Sequence, residues 1–173
     1  MIIGRPMFTV EQIQDKVKEL ASKISADYAG QVLIAVCILR GAFIFFADIV
    51  RAIKVPMTVD FIIASSYIKT DTSAQVKIHA DLREDVKGRN VLLIEDIADT
   101  GITLNYVREM LLSRLPNSLK ICVLLDKKER RVVDVPIDYV GFEIPNEFVV
   151  GYGLDYDNKF RNLPYIAIFK KST

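Results

Sequence analysis

Apolar residues near the start of the chain fall on one helical face. Val10, Ile13, Val17, Leu20 and Ile24 recur three or four apart, and Thr9 and Gln12 have capping-box spacing, so a helix is predicted over 8–28. The period then changes. "VLIAVCI" (32–38) is a continuous apolar run of strand length, as expected of a strand covered on both faces. "AFIFFADIVRAI" (42–53) suits a helix, "MTVDFIIAS" (57–65) a strand, and "VLLI" (91–94) another strand. "ITLNYVREMLLSRL" (102–115) then suits a helix and "KICVLL" (120–125) a fourth strand.

Strands alternating with helices imply an α/β fold, a mainly parallel sheet with helices on both faces. Ligands bind such sheets beyond the carboxyl ends of the strands. Residues 68–90, "IKTDTSAQVKIHADLREDVKGRN", sustain neither period, and a polar stretch of that length is expected to form a lid or hairpin. No repeat, low-complexity tract or linker divides the 173 residues, so one domain over 1–173 is expected.

Composition narrows the function classes. Apolar residues make up 51% and charged residues 26%, a globular balance. With 23 basic and 22 acidic side chains the formal charge is +1, which supplies no general attraction to nucleic acid or anionic lipid. Cys37 and Cys122 each lie inside an apolar run and read as buried strand thiols, which fits a reducing cytoplasm. "MIIGRPMFTVEQ" lacks the parts of a signal peptide, and the apolar region 32–50 is broken by Arg40, Gly41 and Asp48, so no membrane span is expected.

The chemistry concentrates in "LLIEDIADTG" (92–101), where Glu95, Asp96 and Asp99 gather at the end of a predicted strand. "TGIT" then leads into a helix, offering backbone N–H groups, the hydroxyls of Thr100 and Thr103 and the positive end of a dipole, the parts of a phosphate cradle. An ordinary cap by Asp99 or Thr100 is the alternative. Carboxylates beside a phosphate would repel it unless a cation intervenes or they face uncharged hydroxyls. A sugar phosphate with Mg²⁺ meets both conditions.

"VLLIEDIADTGITL" resembles the 5-phosphoribosyl 1-pyrophosphate (PRPP) motif of the type I phosphoribosyltransferases. "LRGAFIFFADIVRAI" (39–53), "SSYIKT" (65–70) and "VGFEIPNEFVVGYGLDYDNKFRNLPYIAIF" (140–169) are similar to the pyrophosphate loop, flexible catalytic loop and hood of the hypoxanthine-guanine branch. The resemblance implies that fold, with a flexible loop about 67–80 and a hood about 127–165. It further implies purine salvage with Mg²⁺, PRPP, hypoxanthine and guanine, in a homodimer or homotetramer.

Residue roles follow from the same resemblance. Glu95 and Asp96 would face the ribose hydroxyls and a metal. Asp99 would act as general acid/base at purine N7, with Thr100, Gly101, Ile102 and Thr103 around the 5′-phosphate. Arg40, Gly41 and Arg161 would hold pyrophosphate, the first two in a loop that often contains a non-proline cis peptide. Ser66 and Tyr67 would close over the site. Lys127 would donate to the purine 6-oxo group, Phe148 would stack on the base, and the Val149 backbone would meet its Watson–Crick edge. Asp155, at the purine side, would ligate a second Mg²⁺.

Several readings compete on the residues alone. Phe148 suits strand core, Lys127 and its neighbour Lys128 lie in the charge run "DKKERR", and His79 suits a surface position in the lid. A PRPP- or nucleotide-sensing regulator on the same fold would need a basic face or an added segment, and a xanthine/guanine-preferring enzyme would differ at the purine 2-position. The helix 42–53 carries three phenylalanines, more than one buried stripe needs, so part of it is expected to cover a neighbouring subunit.

Overall fold

The computed structural model describes residues 2–68 and 74–170, the side chains of 2, 3, 67, 68 and 74 excepted. Strands β2 (Leu33–Leu39), β3 (Met57–Ile68), β4 (Ala74–Ala80), β5 (Asn90–Ala98), β6 (Ser118–Asp126) and β7 (Tyr139–Glu143) form one sheet in the order β4-β3-β2-β5-β6-β7. All pairs are parallel except β3 with β4.

Alternation along the central strands builds two cores. Leu33, Ala35 and Cys37 of β2 and Leu92 and Ile94 of β5 pack under helices α1 (Val10–Asp27) and α2 (Phe43–Ala52). Ile34, Val36 and Ile38, with Val91 and Leu93, pack under α3 (Ile102–Leu112). Both faces are covered, which is why these strands read as unbroken apolar runs. Cys37 and Cys122 are buried, and burial pushes both thiols well above their usual range.

Helix α1 opens with the expected capping box: Gln12 N donates to Thr9 Oγ1 at 3.2 Å, and Thr9 N donates to Gln12 Oε1 at 2.9 Å. The polar stretch after β3 contributes β4, antiparallel to β3, so the expected hairpin exists. Residues 69–73 of the expected flexible loop lie outside the described residues. Asp60 of β3 anchors the return, its carboxylate accepting from Arg83 N and Glu84 N at 2.7 Å each. His79 sits on the exposed side of this hairpin, 2.7 Å from Ser65 Oγ.

A second sheet joins the chain ends. β1 (Ile2–Phe8), β9 (Ile166–Lys170) and β8 (Val149–Val150) pair antiparallel in the order β1-β9-β8. β1 is absent from the periodicity reading, which begins a helix at residue 8. Gly4 and Pro6 interrupt any alternation, and the partner strand lies at the other end of the chain with an irregular register. Among the described residues, no helix is long and apolar enough to cross a membrane.

Candidate active site

The carboxyl ends of β2, β3 and β5 open into two adjoining clefts of about 360 and 380 Å³. Both are bordered by Arg40, Gly41, Asp96 and Asp99. The first continues over Thr100, Gly101 and Thr103, and the second over Lys127, Phe148, Asp155 and Arg161. Nearly all the expected site residues therefore converge on one sheet edge.

Glu95 and Asp96 belong to β5 itself, which runs on to Ala98 rather than stopping at the last apolar residue. Only 9% and 8% of these two residues is exposed. Asp96 N donates to Glu95 Oε1 at 3.0 Å, and Ile97 N to Asp96 Oδ1 at 2.7 Å. Burial, and then the charge of Asp96, push the Glu95 carboxyl well above the usual carboxylate range. Asp96 is raised by burial and partly relieved by hydrogen bonds and the Arg161 charge. A buried acid pair under such strain is suited to a hard divalent cation. No group of three or more candidate ligands occurs among the described residues, so such a cation would take its remaining oxygens from substrate and water.

Between the strand ends, the Leu39–Arg40 peptide is cis. Gly41 lies so close to the acid pair that a Cβ there would stand 1.9 Å from Asp96 Oδ2. Any side chain at this position would displace the carboxylate or the loop. Gly153 in turn lies against Gly41, since its own Cβ would meet the Gly41 carbonyl at 2.2 Å. Gly41 thus admits the Asp96 carboxylate against its backbone, and Gly153 lets two backbone segments approach.

The turn into α3 is capped differently from the cap considered on sequence. Gly101, not Asp99 or Thr100, is the N-cap; it adopts φ +83° and offers no side-chain cap. Ile102 N donates to Thr100 Oγ1 at 3.4 Å, while the Ile102 side chain lines a separate groove with Val76 and Tyr106. Asp99 is left polar and available: its Oδ1 is shielded from water and accepts no hydrogen bond among the described residues. Lys127 Nζ stands 3.9 Å from Oδ2, and Arg130 Nε 3.4 Å from Oδ1.

Register separates the two adjacent lysines. Lys127 is 4% exposed and faces the second cleft, and burial lowers its ammonium below the usual lysine range. Lys128 is solvent-facing and pairs with Glu143. Phe148 is 49% exposed although it packs edge-on against Tyr156 and Phe169, so it is not strand core. Val149 is buried in β8 behind it. Asp155 Oδ1 lies 2.9 Å from Arg161 Nη2, and Arg161 Nη1 donates to the Gly153 carbonyl at 2.7 Å. Ser66 borders the first cleft, and the Tyr67 side chain lies outside the described residues.

Three polar residues at the site escape a reading of the sequence. Arg130 and Arg131 belong to a charge run that looks like a solvated face, yet Arg130 meets Asp99 and Arg131 lies beneath the turn. Tyr152 donates to Asp48 of α2, tying the hood to the helix that follows Arg40 and Gly41.

The arrangement offers a buried acid pair, a turn with free backbone donors, an aromatic face and a buried ammonium around the Asp99 carboxylate, which has cations at 3.4 and 3.9 Å and no hydrogen bond to its Oδ1 among the described residues. A family model described as "phosphoribosyl transferase domain" matches residues 9–157. The chain belongs to this phosphoribosyltransferase family. A hypoxanthine phosphoribosyltransferase of Salmonella typhimurium is 50% identical over 164 residues, covering 93% of this chain and 92% of the relative. A hypoxanthine-guanine phosphoribosyltransferase of Streptococcus thermophilus is 46% identical, covering 98% and 94%. The crystal structure of a hypoxanthine-guanine phosphoribosyltransferase from Bacillus anthracis superposes with a TM-score of 0.91 at 46% identity, over 97% of this chain and 99% of that one. The α/β architecture with its mostly parallel sheet is that of a type I phosphoribosyltransferase.

Proposed function

We propose that the protein transfers the 5-phosphoribosyl group of PRPP to N9 of hypoxanthine, and of guanine, releasing pyrophosphate and forming IMP or GMP. The observation that carries this reading is the position of Asp99, at the border of both clefts and 3.9 Å from the buried Lys127 ammonium. A phosphoribosyl donor fits the first cleft and a 6-oxopurine the second, so the two meet at Asp99.

In the reaction the bond from ribose C1 to pyrophosphate breaks, the bond from C1 to N9 forms through the N9 lone pair, and the imidazole proton of the purine, carried on N7 in the reacting tautomer, passes to Asp99. Asp99 acts as acid/base at N7, where a carboxylate can accept a purine proton as N9 becomes bonded. Thr100, Gly101, Ile102 and Thr103 surround the 5′-phosphate, Ile102 through its backbone only. Arg40, Gly41 and Arg161 hold pyrophosphate, neutralising charge as it leaves. Lys127 donates to the 6-oxo group; adenine's amino group would present hydrogens to the same ammonium, a mismatch of roughly one to several kcal/mol. Phe148 stacks on the base and the Val149 backbone meets its edge. Ser66 and Tyr67 close over the site and exclude water.

Glu95 and Asp96 would hold one Mg²⁺ with the ribose hydroxyls, and Asp155 a second. Mg²⁺ supplies charge neutralisation at the pyrophosphate and relieves the repulsion of the acid pair. The chain acts in the cytoplasm as one domain and as a homodimer or homotetramer. Support for assembly comes from exposed apolar side chains on two elements, Phe43 of α2, 43% exposed, and Val59, Phe61 and Ile63 of β3. A monomer by light scattering would overturn the assembly.

The deciding experiment is pyrophosphate release with PRPP and Mg²⁺ on hypoxanthine, guanine, xanthine, adenine and uracil in parallel. Turnover on hypoxanthine with none on adenine or uracil is expected. A preference for xanthine would reassign the purine, and silence on all five would overturn the enzymatic reading.

A further inference from the structure

The turn 98–101 is held from behind by one short segment. Lys127 N donates to the Ala98 carbonyl at 2.9 Å, and Val132 N and Val133 N both donate to the Thr100 carbonyl, at 2.9 and 3.0 Å. Arg131 fills the space between. Its Nε donates to the Asp99 carbonyl at 3.1 Å and its Nη2 to the Ala98 carbonyl at 3.4 Å. The guanidinium also pairs with Asp126, a carboxylate that is 3% exposed at the end of β6. Segment 127–133 therefore collects three consecutive carbonyls of the turn.

A trans peptide places its N–H opposite its carbonyl. With the carbonyls of 98, 99 and 100 drawn back toward 127–133, the N–H groups of Asp99, Thr100 and Gly101 are turned the other way, toward the first cleft. Those three N–H groups, and that of Thr103, find no acceptor among the described residues. Gly101 closes the arrangement: a Cβ there would stand 2.3 Å from the Val133 carbonyl and 2.9 Å from Arg131 Cδ.

We propose that Arg131 is a positioning residue for the phosphate cradle: it fixes the direction of the turn's donors through their carbonyls and never touches the phosphate. The proposal rests on the reading of 100–103 as the site of the 5′-phosphate. Its planar fork suits the task, since one guanidinium spans two carbonyls and a carboxylate, whereas an ammonium reaches fewer acceptors in fixed directions. Asp126 is its counterion and offsets part of the cost of withdrawing the guanidinium from water. Lys127 starts the same segment, so recognition of the base and of the phosphate share one support.

The test compares binding of IMP and inosine, which differ only by the 5′-phosphate, by calorimetry in the presence of Mg²⁺. Arg131→Met is expected to weaken IMP about tenfold or more while inosine changes less than about twofold, because only donors aimed at the phosphate are disturbed. Arg131→Lys should recover part of the ratio, and Asp126→Asn should lower it less than Arg131→Met. A residue that only stabilises the fold would lower the melting temperature and leave the IMP-to-inosine ratio unchanged. That unchanged ratio in a folded Arg131→Met protein overturns the proposal. If Arg131→Met does not fold, Arg131→Lys decides, and a wild-type ratio there overturns it equally. Wild-type protein that binds IMP no more tightly than inosine would instead reject the phosphate site itself.

Discussion

The site has two halves of different construction. The half around Arg40, Gly41, Glu95, Asp96 and the turn 100–103 stands on parallel strands whose residues are buried on both faces. Its parts are fixed mainly by backbone: a glycine against a carboxylate, and a turn pulled back by its carbonyls. The other half, with Lys127, Phe148, Val149, Asp155 and Arg161, draws on β6, on the small sheet and on the loop between β8 and β9. Backbone bonds shape its loop, but the groups it presents are side chains, and Phe148 leaves half its surface open. The difference suits the chemistry, since phosphate and a cation need donors at constant positions, whereas a planar base must enter and leave. The halves touch where Gly153 meets the Gly41 carbonyl and where Tyr152 donates to Asp48.

Asp99 lies on the border, and its replacement should have the largest effect. Asp99→Asn keeps size and backbone but cannot accept a proton as a carboxylate does, so turnover should fall about 10²- to 10⁴-fold. PRPP affinity, measured by calorimetry, should change less than about threefold, since the donors of the turn are backbone groups. Equal losses in turnover and PRPP binding would show that Asp99 belongs to the phosphate half alone. Next in size is Lys127→Met, which removes a donor from the base half. The KM for hypoxanthine should rise about 10- to 100-fold, the range for a hydrogen bond from a charged group, while the KM for PRPP stays nearly constant. A parallel rise in both would erase the separation between halves.

Legibility in the sequence follows the same division. Helix α1 and strands β2, β5 and β6 announce themselves because their apolar periods are local and unmixed. The acid pair and its turn form one contiguous stretch, so resemblance and physical reasoning reach the same residues. Segment 127–133 does not declare itself that way. "KKERR" looks like a uniform solvated run, yet successive residues face opposite directions: Lys127 toward the cleft, Lys128 toward Glu143, Arg130 toward Asp99 and Arg131 under the turn. Charge composition carries no direction; only the turn at Lys128–Arg130 does. β1 is hidden for another reason, since its pairing with β9 joins opposite ends of the chain and leaves no local signature.

A smaller effect sharpens the description of the base half. Phe148→Leu keeps an apolar side chain but loses the aromatic face, which is worth about 0.5–1.5 kcal/mol beyond area. Hypoxanthine binding should weaken about three- to tenfold, with pyrophosphate binding unchanged. The edge-on contacts with Tyr156 and Phe169 predict that the neighbouring rings stay ordered, which near-ultraviolet circular dichroism would register. If affinity is unchanged, the exposed ring is not the stacking surface.

The smallest effect is the pH dependence of stability contributed by the acid pair of the phosphate half. Burial raises the native carboxyls of Glu95 and Asp96 above their ordinary values of 4.5 and 3.8. Between the unfolded and native values the native state binds more protons than the unfolded one, so this pair makes stability fall as pH rises above the ordinary carboxylate range. Other carboxyls, such as that of Asp81 beside Arg114, are lowered and act in the opposite sense, so the pair must be isolated by difference. The melting temperature of Glu95→Gln minus that of wild type, without divalent cation, should increase from pH 4.5 to 7.5. Each kcal/mol of relieved repulsion corresponds to about 2–4 °C in a chain of this size. Mg²⁺ with PRPP should shrink the difference by stabilising the ionised pair in wild type only. A difference independent of pH would mean that the acid pair is relaxed without a cation, and that the contrast in construction does not extend to charge.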